Sequence, residues 1–497
     1  MATHPRVIRT VFTVLVILLA SWTTSAYAQF GGGGQGGGGF GGGGQGGGGF
    51  GGGQGGGQGG GQGGGGFGGG GSGAAGVIIS PEGVLQVRMI DPRLTLKRVA
   101  AAREQLEPEV ARPSKLRKIS LTRLEAAVAK QLAAGQQLTN DMIYMAGMTR
   151  IQNVFLYPDT GDIVIAGPAE GYAVDPSGRP IGIVSGRAIL ELQDLLVALR
   201  SYAPAGNKAQ VISVSIDPTR EGLQKMQQFL TQVGRQGLSP RQTPQLVRGL
   251  QNALGLQTVT IQGISPKTHF AQVLVEADYR MKLIGIGLER PAAKITSYVS
   301  KASPAAVSRN ALQRWYFTPN YECVRASEDG MAMQLEGDGV KLIGADELVR
   351  NDGTRVASGT VDKAGKAFTQ SFTAHYAELA DRSPVYAQLR NLIDMSIAAA
   401  YMQQEDFYGQ VGWDMGCFAH EEQLPLDRYV APVQVETAVN AIWKGNTLMT
   451  PIGGGVNIQP LKAISDSNLR ADTDGIVLQL HRQVDPRQQQ GGHWWWD

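Results

Sequence analysis

Cysteine is scarce in this 497-residue sequence, which contains only Cys323 and Cys417 and no C-x-x-C pair. That absence excludes the common thiol redox motif and the usual half of a zinc-finger pattern. The two cysteines either form one disulfide, which would close a long loop and constrain the unfolded chain, or remain buried free thiols. Both alternatives are open at this point, because the sequence does not give the Cα separation that a disulfide requires.

Long apolar segments are also missing beyond the N-terminus. Residues 11–20 are apolar, follow Arg6 and Arg9, and precede an Ala-x-Ala site at residues 26–28. A positive start, an apolar segment too short to span a bilayer and small residues at a cleavage site predict a secretory signal peptide. We therefore expect an exported protein of the periplasm, cell envelope or extracellular space, with no transmembrane segment after the signal is removed.

A large net charge of either sign is absent as well. Removing Arg6 and Arg9 from the 45 Lys and Arg residues leaves 43, against 42 Asp and Glu. A chain this close to neutral lacks the electrostatic footprint of a protein that binds nucleic acid or an anionic membrane. We expect no nucleic-acid partner.

Glycine, in contrast, is abundant, with 70 residues. Residues 31–73 are almost pure glycine with spaced Gln and Phe, and no charge occurs between Arg9 and Glu82. Glycine loses the most backbone entropy on ordering and has no side chain to bury, so this composition predicts a disordered tether. Weak self-association through the Phe and Gln residues is the alternative.

The remaining sequence alternates strand-like and helical patterns. Turn residues predict β-hairpins at residues 77–88 and 171–184, and a capping box at Thr122 and Glu125 predicts a helix start. N-cap residues followed by proline predict further helix starts at four positions: Asp217, Thr243, Ser265 and Ser383. Four strand-like segments after Arg314 predict an antiparallel β-meander.

Together these signals predict an α+β fold. It comprises a mixed α/β layer and an antiparallel β-meander after a disordered glycine-rich segment. The predicted regions are a signal peptide (1–28), a glycine-rich tether (29–76), an α+β region with hairpins (77–205), an α/β region (206–292), a meander with a long helix (293–482) and a flexible tail with a Trp cluster (483–497).

One charged stretch could be either a catalytic site or a structural part of the fold. Glu276, Asp278, Arg280 and Lys282 occupy alternate positions, as on one face of a strand. Apolar residues around them recur every three or four positions, which favours a helix. On a helix each acid faces a base at i,i+4, and such pairs stabilise an exposed helix by about 0.2–0.5 kcal/mol each. We therefore predict an exposed, salt-bridged helix face with a scaffolding role.

Four segments resemble a known family: VEADYRMKLIGIGLE, WYFTPNYECVRASEDGMAMQLEGDGVKL, RPSKLRKISLTRLEAAV and LMTPIGGGVNIQP. They are similar to exported bacterial proteins known as domain of unknown function fifteen-ninety-eight. The resemblance covers residues 77–482 and excludes the glycine-rich segment and the tail. It implies an exported bacterial protein and assigns no activity, cofactor, substrate or site residue.

The sequence has no nucleophile elbow, zinc-protease motif or P-loop. Its densest group of reactive side chains follows the long predicted helix. Asp414, Cys417, His420 and Glu421 lie close together there. Cys417 and His420 could act as nucleophile and base, or supply half of a zinc site. The remote zinc ligands would be drawn from Cys323, His375 and His481. A polar loop with a structural cysteine is the simpler alternative, and we expect neither a metal nor a cofactor.

The end of the chain carries three consecutive indoles, Trp494, Trp495 and Trp496. Exposed indoles bury a large area on contact, so they are candidates for contact with an envelope protein partner. Docking on the protein's own surface, or disorder, is the alternative. Our leading expectation is a non-enzymatic exported protein that acts in interaction or assembly in the cell envelope. The alternative is a secreted enzyme, such as a hydrolase, that uses residues 414–422.

Overall fold

The computed structural model describes residues 76–88, 92–204, 206, 208–236, 242–302, 311–345, 347–349, 355–357, 363–440, 442–444, 447–449, 455–489 and 493–497. The predicted signal peptide and tether, residues 1–28 and 29–76, lie outside the described residues apart from Gly76.

Fifteen α-helices and twenty-two strands form within the described residues, and the predicted α+β class is confirmed. The helices are α1 Pro92–Gln105, α2 Pro108–Ala111, α3 Leu121–Ala133, α4 Asn140–Ile143, α5 Leu192–Ser201, α6 Arg220–Gln236, α7 Thr243–Leu254, α8 His269–Gly285, α9 Tyr298–Lys301, α10 Lys363–Ala374, α11 Tyr376–Arg382, α12 Pro384–Gln404, α13 Phe407–Val411, α14 Pro460–Ala463 and α15 Ile476–Gln483. The strands are β1 Val77–Ile79, β2 Val84–Val87, β3 Ser114–Ser120, β4 Asn153–Tyr157, β5 Asp162–Ala169, β6 Tyr172–Val174, β7 Pro180–Gly182, β8 Ile212–Asp217, β9 Gln257–Gln262, β10 Ala311–Leu312, β11 Trp315–Pro319, β12 Val324–Ala326, β13 Ala332–Leu335, β14 Val340–Gly344, β15 Glu347–Val349, β16 Arg355–Ala357, β17 Gln434–Val435, β18 Ile442–Lys444, β19 Thr447–Met449, β20 Gly455–Ile458, β21 Arg470–Ala471 and β22 Trp495–Trp496.

Two large mixed sheets organise the body. The eight-stranded sheet has the order β1-β2-β17-β9-β8-β20-β11-β14, and the seven-stranded sheet has the order β21-β12-β13-β4-β5-β3-β22. The eight-stranded sheet takes strands from all three predicted regions between residues 77 and 482, whereas the seven-stranded sheet takes its strands from residues 77–205, from residues 293–482 and from the tail. One continuous core contains apolar side chains from both large sheets and from α5, α8 and α12.

The predicted single meander after Arg314 is wrong, although its strands exist. β11 pairs with β14 in the eight-stranded sheet, whereas β12 pairs with β13 in the seven-stranded sheet. Alternating apolar residues mark a strand but do not specify the sheet that it joins, because partner choice depends on contacts distant in the chain.

The short-range predictions fit the structure more closely. Both predicted hairpins form, as β1–β2 and β6–β7. The helix predicted at Thr122 instead begins at Leu121, because the Ser120 hydroxyl accepts the backbone N–H of Arg123 at 3.2 Å and caps it. The helix predicted from Ser265 begins later, at His269, with Thr268 as its N-cap.

The charged stretch forms α8, and its two predicted ion pairs are present. Glu276 pairs with Arg280 at 3.3 Å, and Asp278 pairs with Lys282 at 3.1 Å. The predicted exposure is wrong, because Glu276 and Asp278 are fully buried and Lys282 is only 5 % exposed. The helix packs against α5, α12 and β8, which cover the face that the sequence pattern assigns to solvent. Among the described residues, no helix has the length and apolar character to cross a membrane.

Candidate functional site

The predicted Cys417 site is a structural contact between a 3₁₀ helix and α3. Cys417 lies in the 3₁₀ helix Gly416–Ala419, and its backbone N–H donates to Glu125 Oε1 at 2.8 Å. Burial and the adjacent Glu125 raise the pKa of the Cys417 thiol to about 12. A thiol with a raised pKa is a poor nucleophile and metal ligand, because both roles require the thiolate.

The other residues of this loop hold the backbone in place. Asp414 accepts the backbone N–H of Gly416 at 2.9 Å, which closes a turn. Glu421 pairs with Arg200 of α5 and accepts the backbone N–H of Asp427 at 2.9 Å. His420 is exposed, and its side chain has no hydrogen-bond partner within the described part of the chain. The contacts of Asp414 and Glu421 are therefore those of a folded loop.

The proposed disulfide between Cys323 and Cys417 is not formed, because both cysteines are buried free thiols. Cys417 faces α3, whereas Cys323 precedes β12, and burial together with Asp394 raises its pKa to about 12. The two thiols are thus held by different elements. Neither joins His375 or His481 in a group with metal-ligand spacing among the described residues.

The three indoles at the end of the chain pack on the protein's own seven-stranded sheet. β22 adds to the edge of this sheet beside β3, and Trp494 to Trp496 are all half-buried. Fully buried Arg117 donates to both carboxylate oxygens of Asp497 at 2.8 and 2.9 Å and lies 4.5 Å from the centre of the Trp495 ring. Residues 493–497 therefore form an ordered edge, which corrects the predicted flexible tail over these residues and agrees with the alternative of docking on the protein's own surface, while the partner contact of the indoles stays a prediction.

A buried charge cluster that the sequence did not indicate lies at the start of α8. It consists of Arg179, Glu191, Asp194, His269 and Glu276, all at most 7 % exposed. His269 Nδ1 lies 2.9 Å from Asp194, and Nε2 lies 3.6 Å from Glu191. Arg179 pairs with Glu276 and donates to Gln388 of α12 at 2.8 Å. The cluster thus links α5, α8 and α12.

Burial and neighbouring charges compete at His269. Burial lowers its pKa, but the carboxylates of Asp194 and Glu191 raise it by more, and the result is a pKa of about 9. Burial also raises the pKa of Glu191. His269 is therefore protonated at neutral pH, and its charge is balanced by the carboxylates on either side.

Glu191, Asp194 and His269 are the one group with metal-ligand spacing in the described ranges. A metal ion needs ligand atoms that converge on one point, but here each ring nitrogen faces a different carboxylate. A hydrolytic triad would need a nucleophile at Nε2, and Glu191 occupies that position. The geometry fits a buried ion triad that supports the fold.

A second group of polar side chains, separate from the buried charge cluster, lies on the outer face of three neighbouring strands, β20, β11 and β14. On β11, half-buried Tyr316 and almost fully buried Thr318 alternate with the fully buried Trp315 and Phe317, and Tyr316 and Thr318 line a cleft of about 620 Å³. Lys341 and Ile343 of β14 and Asn457 of β20 complete its floor. The two-residue period of a strand explains why these side chains share one face.

The walls of this cleft come from two short connections. Asn320, Tyr321 and Glu322 follow β11, and Gln459, Lys462 and Asn468 surround α14. We call the cleft lined by these floor and wall residues the amide cleft. It also includes Pro319 and Ala345.

Internal contacts fix the two tyrosines of the amide cleft. Thr318 Oγ1 donates to the Tyr321 hydroxyl at 2.9 Å, and Lys462 Nζ lies 4.5 Å from the centre of the Tyr321 ring. Tyr316 lies against Gly455 of β20, where an added Cβ would approach the ring carbons to 2.6 Å. Glycine at this position leaves room for the ring.

Several polar groups of the amide cleft remain available to a ligand. The Asn320 side chain, Asn457 Nδ2 and Lys341 Nζ have no hydrogen-bond or ion-pair partner among the described residues. The one carboxylate of the lining, Glu322, pairs with Arg470 at 3.2 Å. The cleft can therefore offer amide donors and acceptors together with positive charge.

Comparison with known proteins identifies one part of the chain. Residues 214–298 match the model of DUF1598, a protein family of unknown function. We call residues 214–298, which are similar to this family, the DUF1598 segment. The resemblance predicted from the sequence is thereby confirmed over these residues. No curated protein and no solved structure matches the chain.

The DUF1598 segment contributes residues to one of the two polar regions and none to the other. It contains His269 and Glu276 of the buried charge cluster, whereas every residue lining the amide cleft lies outside it, between Tyr316 and Asn468. The family match therefore covers part of the scaffold. The alternation along β11 and β14 was the signal that could have grouped the cleft's floor residues from sequence.

Proposed function

We propose that this chain is an exported, non-enzymatic protein of the cell envelope that acts in interaction or assembly by binding a polar ligand in the amide cleft. The observation that carries the proposal is the lining of the cleft, with unpaired amide and ammonium groups around an open space of about 620 Å³. Binding sites of this size orient a ligand through a few well-placed polar groups.

The chemistry of the candidate catalytic residues supports a binding role. The thiols of Cys323 and Cys417 have raised pKa values, and the buried charge cluster has no access for a reacting group. The signal-like N-terminus and the composition of the glycine-rich segment support export and tethering.

The experiment is co-sedimentation of the purified chain with insoluble envelope polymer. We expect the wild-type protein to sediment with the polymer, and Asn457→Trp, which fills the cleft, to remain in the supernatant. Trp in place of the exposed Val184, which does not line the cleft, is the matched control and should sediment like the wild type. Equal sedimentation of wild type and Asn457→Trp would contradict the proposal.

A hydrolase that uses residues 414–422 is the second candidate function. One observation favours it: Glu421 and Asp427 border a separate cavity of about 410 Å³, together with Arg200 and Lys208. Release of soluble fragments from the polymer, abolished by Glu421→Gln in a folded protein, would support this enzyme and contradict the binding role.

A further inference from the structure

We infer that the ligand of the amide cleft is an acidic saccharide, an oligosaccharide that contains uronic acid, with its carboxylate between Lys341 and Lys462. This inference rests on the proposed binding function and specifies its ligand class. It begins from the amide groups of three lining residues, Asn320, Asn457 and Gln459; the amide of a fourth, Asn468, already donates to the Lys462 carbonyl at 2.7 Å.

These side chains match the hydroxyl pattern of a sugar. An amide holds a donor and an acceptor in one plane, so it can bind two adjacent hydroxyls, each of which both donates and accepts. Gln459 Nε2 donates to Asn457 Oδ1 at 3.4 Å, which leaves Asn457 Nδ2 and Gln459 Oε1 to face the cleft as a donor and an acceptor. Two linked amides therefore present the alternating pattern that neighbouring hydroxyls require.

The aromatic floor favours a saccharide over a peptide. The Tyr316 ring on the floor and the Tyr321 ring in the wall belong to a lining that is more apolar than polar, which suits the C–H faces of a pyranose. A peptide ligand needs pockets for alternate apolar side chains, and the large exposed apolar side chain of this lining is Ile343 alone.

The charges of the cleft favour an anionic sugar. Lys341 and Lys462 both line the space, whereas Glu322 is engaged by Arg470 at 3.2 Å. The ammonium groups thus exceed the available carboxylates, and an anion in the cleft would restore the balance.

The experiment titrates the full chain with tri-galacturonate and with its methyl ester, which has the same hydroxyls and linkage but no charge. We expect the acid to bind at least tenfold more tightly than the ester, with an affinity that falls as salt is added. Lys341→Gln and Lys462→Gln should each weaken acid binding about two- to fivefold, the scale for an exposed charge pair. The double variant should bind acid and ester alike. Lys97→Gln, an exposed substitution on α1, is the matched control and should bind like the wild type.

The contrary outcomes separate this inference from the proposed function. Equal affinity for acid and ester, unchanged in both lysine variants, overturns the inference but leaves a saccharide-binding cleft. Cleft-dependent sedimentation with envelope polymer, without binding of either trisaccharide, also overturns the inference and leaves the proposed function. If the protein shows neither cleft-dependent sedimentation with envelope polymer nor binding of either trisaccharide, both the inference and the proposed function are overturned.

Discussion

The buried charge cluster and the amide cleft use polar side chains in opposite ways. In the cluster, each charged group faces an opposite charge and is closed off from solvent, as with His269 between Asp194 and Glu191. In the cleft, amides and lysines such as Asn457 and Lys341 face an open space. The difference teaches that a high density of charged side chains can serve the fold alone, whereas the accessible and unpaired polar groups are the ones that our proposal assigns to ligand binding.

The largest expected effect comes from breaking the buried charge cluster. Glu276→Gln removes a buried carboxylate that pairs with both Arg179 and Arg280, so we expect the free energy of unfolding to fall by about 3–5 kcal/mol. Urea denaturation measures this change. The exposed pair of Arg187 and Asp381 is the control, and Arg187→Ala should cost less than about 1 kcal/mol. Equal losses in the two variants would remove the distinction between buried and exposed pairs.

A second test uses the pH dependence of the cluster. The pKa of His269 is raised from 6.5 to about 9 in the folded chain. The associated stability, about 3 kcal/mol, is therefore fully present below pH 6.5 and is lost as pH rises through about 9. We expect His269→Asn to lack this component when unfolding is measured from pH 6 to 10. If the free energies of unfolding of the wild type and of His269→Asn change in parallel with pH, the carboxylates do not hold the proton on His269.

A substitution in the C-terminal tail is expected to have an intermediate effect on the free energy of unfolding. Asp497→Asn removes the charge that faces buried Arg117, so we expect a loss of about 1–3 kcal/mol and a shift of the tryptophan emission to longer wavelength. Asp466→Asn, on an exposed turn, is the control and should change neither quantity. An unchanged emission in Asp497→Asn would contradict the docking of the indoles on β3.

The smallest effect on stability is expected in the amide cleft. Asn457→Ala removes a half-exposed amide that makes one weak internal hydrogen bond, of 3.4 Å, to Gln459. We expect the free energy of unfolding to change by less than about 0.5 kcal/mol. A loss above 2 kcal/mol would place Asn457 among the scaffold residues and would count against a ligand role.

The helix α8 shows how much the sequence could predict. Its existence and its two i,i+4 ion pairs follow from local periodicity, which the residues themselves carry. Its burial depends on α5, α12 and β8, which come from distant parts of the chain. The same sequence pattern therefore predicted the right contacts and the wrong exposure.

The sites were harder to predict for the same reason. Asp194 and His269 are 75 residues apart and meet because α5 packs on α8. Tyr316 and Asn457 meet because β11 pairs with β20 in parallel, and neither strand carries a signal for that partner. Cys417 and His420 attracted attention because they are near in sequence, yet the thiol of Cys417 is directed to Glu125.

One measurement tests the comparison between cluster and cleft most directly. The variants Glu276→Gln and Asn457→Ala are each sedimented with envelope polymer, at a temperature where circular dichroism shows that both are folded. We predict that Glu276→Gln, although less stable, sediments like the wild type, whereas Asn457→Ala, although equally stable, stays in solution. Loss of sedimentation in Glu276→Gln with normal sedimentation of Asn457→Ala would contradict the account and would assign function to the buried charge cluster.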